Sequence, residues 1–185
     1  MKKALLVLLT AGFIAALFVS QGIFAAEEGT HKYVGAKKCK VCHMSKKKGA
    51  QFTKWQESAH SKAYETLTSD KAKEVYAKAV PGGSENPAES EKCLSCHSTG
   101  YGKGAELFTD TFDKTEGVGC EACHGPGSDY MKMSVMKDQA KAVSAGLVIP
   151  NADTCTGCHN EKSPTFTEFD FDSFYQKIAH PYPSE

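Results

Sequence analysis

The longest apolar run of this chain comes first. From Ala4 to Phe24 hardly a polar residue interrupts it, behind Met1-Lys2-Lys3 and ahead of Ala25-Ala26-Glu27-Glu28. A basic start, an apolar stretch and small residues before a polar turn form a secretory signal, cut after Ala25 or Ala26. An uncleaved membrane anchor is the competing reading, because the run approaches the roughly 20 residues that span a bilayer. Beyond it the pattern predicts short helices and loops. Residues 61–79, SKAYETLTSDKAKEVYAKA, have helical composition and no strand alternation. Residues 128–143, SDYMKMSVMKDQAKAV, predict a second helix with Ser128 or Asp129 near its cap. Residues 171–179, FDSFYQKIA, predict a third that stops before Pro181. PGGSENP, 81–87, is a turn-rich loop, and only GYGKGAELFTD, 100–110, could hold a short strand ribbon. The expected fold is mainly α with extensive loops: a leader over 1–26, then one domain over 27–185.

Charge adds an asymmetry. All 22 basic residues are Lys. Residues 27–103 carry 14 Lys and 9 acids, whereas 104–185 carry 6 Lys and 13 acids. A basic half and an acidic half can orient charged partners on approach. With no Arg and no net positive charge, nucleic acid is not a partner.

The 8 cysteines change the picture most. In an exported chain they would ordinarily form disulfides. Here each belongs to a C-x-x-C pair followed at once by histidine: CKVCH (39–43), CLSCH (93–97), CEACH (120–124) and CTGCH (155–159). C-x-x-C-H is the attachment signature of a c-type haem. Two intervening residues bring both sulfurs to one side of a turn, where each can form a thioether with a haem vinyl group, and the histidine that follows lies beneath the iron. Zinc would need pairs converging on one ion and gives no reason for four motif histidines. A thioredoxin-like pair would occur once, within a βαβ pattern. Cys39, Cys42, Cys93, Cys96, Cys120, Cys123, Cys155 and Cys158 therefore attach four covalent haems, with His43, His97, His124 and His159 as proximal ligands. The first cysteines lie 54, 27 and 35 residues apart, so this is no regular repeat array. Glycines 119, 125 and 127 are expected to let backbone pass close to a haem face, and Pro126 to end the turn. Apolar content is thin for a self-sufficient core, so the haems supply much of the buried surface and the apoprotein is expected to be largely unfolded.

Four haems have eight axial positions. The motif histidines fill four, and only His31, His60 and His180 remain. At least one haem therefore takes Met, some other residue, a ligand from another molecule, or keeps an open site.

The motif order, together with FTKWQESAHSKA (52–63), GVGCEACHGPG (117–127), CTGCHNEKSPTF (155–166) and the closing KIAHP (177–181), resembles the cytochrome c-554 family of tetrahaem electron carriers over nearly the whole mature chain. The W-x-x-S-x-H around His60 is more specific than the haem motifs. The resemblance implies a small multihaem cytochrome fold wrapped around four haems. It also implies His60 opposite His124 on the third haem and His180 opposite His159 on the fourth. In the type member of the family the second haem, here on His97, is five-coordinate and high-spin. One departure concerns the first haem, whose distal histidine in the family follows the third motif. Here that stretch, 125–138, has no His but has Met131, Met133 and Met136. Met133 opposite His43 would raise that haem's potential relative to two histidines; packing against haem faces is the other use of these side chains. His31 is the rival ligand, in a tail that folds back, reaches a neighbouring subunit as in filament-forming cytochromes similar to this family, or stays in solvent.

Two function classes follow. The first is a periplasmic or extracellular electron carrier and not an enzyme. The second is a reductase or sensor that binds nitric oxide, hydroxylamine or a similar ligand at an open haem. Sites that reduce oxyanions usually clamp them with fork-shaped arginines, which are absent, so the carrier is the expectation. Residues 32–48 hold seven lysines (32, 37, 38, 40, 46, 47 and 48), which favours an acidic redox partner. Self-association into filaments and peripheral membrane contact stay open.

Overall fold

The computed structural model describes residues 31–83 and 86–181, so the expected leader over 1–26 lies outside the described residues. Among those described there are ten α-helices of 4 to 10 residues and no strand beyond an isolated parallel bridge between Tyr33 and Phe108. In chain order they are α1 (Ala36–His43), α2 (Gln51–Glu57), α3 (Ala63–Thr66), α4 (Asp70–Ala79), α5 (Glu91–His97), α6 (Cys120–His124), α7 (Met133–Met136), α8 (Gln139–Ser144), α9 (Ala152–Thr156) and α10 (Phe171–Ile178). The mainly α, loop-rich expectation holds, and the ribbon expected over 100–110 is instead a 3₁₀ turn, Ala105–Leu107, ahead of that bridge.

Local chemistry sets the helix starts. The side chains of Ser69, Asp138, Asn151 and Asp170 each accept a hydrogen bond from a backbone N–H three residues on. The single helix expected over 61–79 is broken in two, because Ser69 caps α4 and Leu67 is buried at the corner. The helix expected over 128–143 begins later and is also split, into α7 and α8. Ser128 and Asp129 cap neither: Ser128 Oγ accepts the Lys32 N–H at 2.9 Å, and Asp129 holds His31. The third expectation matches α10, opened by Asp170.

The apolar core is slight. Nine hydrophobic residues are buried among those described, and one cluster gathers Leu67, Ala88 and Leu94. A second nucleus is aromatic: Tyr33 stacks on Phe108 at 5.2 Å between ring centres, and Phe108 meets Phe112 at 4.7 Å. The tighter joints are polar. Glu121 is 2% exposed, and its carboxylate accepts backbone N–H groups from Val34 (2.9 Å), Gly35 (2.7 Å) and Gly127 (2.6 Å). Burial raises this carboxyl's pKa, and the three donors oppose that rise.

Candidate haem sites

Each C-x-x-C-H motif lies on or beside a short helix. α1 and α5 each contain their whole motif, α6 consists of one, and α9 ends just before Cys158 and His159, whose N–H still reaches the Cys155 carbonyl at 2.9 Å. One helical turn puts the first cysteine and the histidine, four residues apart, on the same face. All eight cysteines are free thiols, so no disulfide framework competes for them.

The motif helices meet through their sulfurs. Hydrogen bonding to Cys39, with burial, pushes the Cys120 thiol far up. Burial and then neighbouring Cys96 push the Cys158 thiol up to about 11. Burial and then Cys155 raise Cys123. The attachment points thus run in space as first, third, fourth, second.

The histidines are held as metal ligands are held. A ligating imidazole normally donates its other ring N–H to an oxygen, which sets the tautomer and leaves one nitrogen lone pair free. Nδ1 of His97 lies 2.7 Å from the Ala63 carbonyl, that of His124 3.1 Å from the Val148 carbonyl, and that of His180 2.7 Å from the Ile178 carbonyl. His43 Nδ1 faces Gln51 Oε1 at 3.3 Å. Carbonyl oxygens only accept, so in each case Nδ1 carries the proton and Nε2 is free. Burial, the leading cause, lowers the pKa of His60, His124 and His159 and favours the neutral form a metal requires.

Two histidine pairs stand close, each edge to face. The rings of His60 and His159 are 6.0 Å apart between centres, and those of His124 and His180 5.9 Å. A metal–imidazole bond of about 2.0–2.1 Å places two rings on opposite sides of one ion about 6 Å centre to centre. The resemblance implies His60 with His124 and His180 with His159; here the ring of His60 lies beside the fourth motif and that of His180 beside the third. The W-x-x-S-x-H segment accounts for half of this. Trp55 Nε1 donates to the Val118 carbonyl at 2.8 Å and the Val118 N–H donates to the His60 carbonyl at 3.0 Å. The backbone of His60 is therefore fastened to the start of the third motif while its ring reaches His159. The ring of Phe169 stacks on that of His159 at 4.8 Å, and His180, just past α10, turns to His124.

The remaining candidates sit elsewhere. His31 packs its ring against Gly146, and its Nδ1 is 2.7 Å from Asp129 Oδ2. Met133 opens α7 and is 62% exposed. Beside α5 a cavity of about 240 Å³ is lined by Tyr64, Leu94, Tyr101, Lys103, Phe108 and Lys114.

The motif glycines answer to protein groups. A Cβ on Gly125 (φ +76°) would come within 2.8 Å of the Gly146 carbonyl, and one on Gly127 within 3.0 Å of Glu121 Oε1. Sequence reading passed over Glu121 and Glu116. The available signal was an acidic residue inside a cysteine pair, surrounded by glycines with no room for a side chain.

No helix among the described residues is long and apolar enough to cross a membrane. The family described as cytochrome c554 and c-prime matches residues 38–125. Cytochrome c-554 of Nitrosomonas europaea is 29% identical over 168 residues, 83% of this chain and 68% of that protein. The solved reduced state of cytochrome c554 from Nitrosomonas europaea superposes with a TM-score of 0.58 at 25% identity, over 82% of this chain and 85% of that one. Helical fold and sequence agree over most of the length, and the chain is similar to the cytochrome c554 family: a multihaem c-type cytochrome with covalently attached haems as its cofactors.

Proposed function

We propose that this protein is an exported carrier that passes single electrons through four covalent haems between redox proteins. The observation that carries the proposal is the unbroken sequence of thiol neighbours, Cys39 to Cys120, Cys123 to Cys155 and Cys158 to Cys96. Attachment points this close set the cofactors side by side, and each bound haem contributes one-electron iron chemistry. The polypeptide holds the ligand nitrogens, excludes water and presents a docking face. His43, His97, His124 and His159 serve as proximal ligands, His60 completes the fourth site and His180 the third. His31 and Met133 are the candidates for the position opposite His43, although His31 here sits on Asp129 and Met133 is exposed, and the site on His97 stays open.

Docking falls to α1 and the 3₁₀ turn after it. Lys38, Lys40, Lys46, Lys47 and Lys48 are exposed around Val41, 84% exposed, and Met44, 50% exposed. An apolar centre ringed by lysines fits an acidic redox protein. Replacing Lys46, Lys47 and Lys48 with Glu is expected to slow second-order electron exchange with such a partner by about tenfold or more, leaving haem spectra unchanged. Wild-type exchange should also slow between low and physiological salt, where screening acts over roughly 8–10 Å. A stopped-flow rate indifferent to both changes removes this face from the mechanism.

The cavity beside α5 favours a second reading, in which a small ligand such as nitric oxide or hydroxylamine binds at the open site on His97. Low-temperature paramagnetic resonance of the oxidised protein should show a high-spin signal from about one haem in four. In His180→Ala that fraction should double, and the new signal should be abolished with the third motif (Cys120→Ala/Cys123→Ala) and not with the fourth. Four low-spin haems in the wild type would sink the open site.

A further inference from the structure

Glu116 is the residue whose buried side-chain oxygen, Oε1, has no hydrogen-bond partner among the described residues. Its other oxygen, Oε2, accepts the Ala36 N–H at the start of α1 at 2.9 Å. Oε1 lies against Gly119, the residue before α6, where a Cβ would overlap it. The carboxyl group is therefore lodged between the starts of the two helices whose thiols, Cys39 and Cys120, meet. The charged and titratable groups facing it are Lys37 of α1, Asp113 of the preceding loop, and Cys120 and Glu121 of α6. Burial raises the Glu116 carboxyl to about 7; the Ala36 bond opposes the rise, Glu121 and Asp113 add to it, and Lys37 opposes it. By contrast Glu121, with three backbone donors, is a satisfied anchor. A buried carboxylate oxygen without a donor is costly when charged and is relieved by a proton.

We propose that Glu116 is a redox-linked proton site: it binds a proton from solvent when the haems held by α1 and α6 are reduced, and releases it when they are oxidised. The inference rests on the haem reading above. One electron comes from a one-electron donor and turns a ferric centre ferrous. One proton comes from water at the rim, where Lys37 Nζ and Asp113 Oδ2 stand 3.2 Å apart, and forms an O–H bond on Glu116. Oxidation reverses both transfers. The added electron raises the carboxyl's proton affinity, and by linkage the bound proton makes the electron easier to add.

The test is potentiometry of the intact holoprotein, following haem absorbance in mediated titrations from about pH 5 to pH 9. In the wild type the midpoint of the affected haems should fall as pH rises through neutrality. In Glu116→Gln that fall should shrink to what the haem propionates contribute, while mass and spectra still report four haems. Haem propionates titrate in both proteins, so the difference isolates Glu116. Glu116→Asp, which keeps the carboxyl, should retain the dependence with its window displaced, and it serves where the Gln variant fails to mature. A Gln variant with the wild-type slope, a flat Asp variant, or a wild type flat near neutrality overturns the proposal. With four haems still reversibly reduced, those outcomes leave the carrier reading standing; a chain without haems removes the carrier reading.

Discussion

Secreted without its haems, the chain is expected to stay unfolded. The described helices run from 4 to 10 residues, below the roughly 12–15 at which even good helix formers are marginal in water. Tertiary packing would have to hold them, and among the described residues few apolar side chains are buried to do it. The exposed apolar side chains include Val41 on a motif helix and Phe174 within ring contact of His159. Replacing all eight cysteines with Ala should therefore give a far-ultraviolet circular dichroism spectrum of coil, no cooperative melt and rapid proteolysis. Partial removal should be graded by place. The third site neighbours both the first and the fourth, whereas the second lies at one end of the series. Cys120→Ala/Cys123→Ala should thus cost more holoprotein than Cys93→Ala/Cys96→Ala, measured as haem per chain by denaturing mass spectrometry. A cysteine-free chain with native helicity and a sharp melt would show that the polypeptide core suffices.

Residues whose chemistry is confined to a few neighbours could be read from the sequence. Two cysteines and a histidine must share one turn to hold one haem, so CKVCH, CLSCH, CEACH and CTGCH carry their meaning within five positions. Counting axial positions also singled out the surplus histidines, His60 and His180 among them, as candidate ligands. Their partners were not, because which ring faces which depends on how distant segments dock: the His60 carbonyl is bound to Val118, 58 positions away in number, and nothing near His60 announces it. The helices failed in the same manner. Residues 61–79 read as one helix from composition, but Ser69 competes for the backbone and caps a new start. The glycines around the third motif were read as making room for cofactor, although Gly119 and Gly127 make room for Glu116 and Glu121. An acidic side chain between two cysteines looks like a surface residue until the donors it meets, 86 and 87 positions away, are in view.

Glu121 gives the second large effect. Its two oxygens gather N–H groups from the strand-like lead into α1 and from the turn after α6, so one side chain ties the first attachment helix to the third. Glu121→Ala removes the acceptor and strands three donors in a site that is 2% exposed. Each buried donor left without a partner costs about 1–3 kcal/mol, and bonds to a charged acceptor lie at the upper end. The expected loss is about 3–6 kcal/mol, a large part of the roughly 5–15 kcal/mol that keeps a domain folded. For a chain of this length that corresponds to a melting temperature lower by about 10 °C or more. Glu121→Gln should recover little, because its amide points N–H groups at N–H groups on one side. Glu121→Asp should fall between, since the carboxylate survives but is one methylene short of the Gly127 N–H it now meets at 2.6 Å. Thermal melts of purified four-haem protein test the series. If Glu121→Ala melts within a degree or two of wild type, the carboxylate is not the joint between α1 and α6.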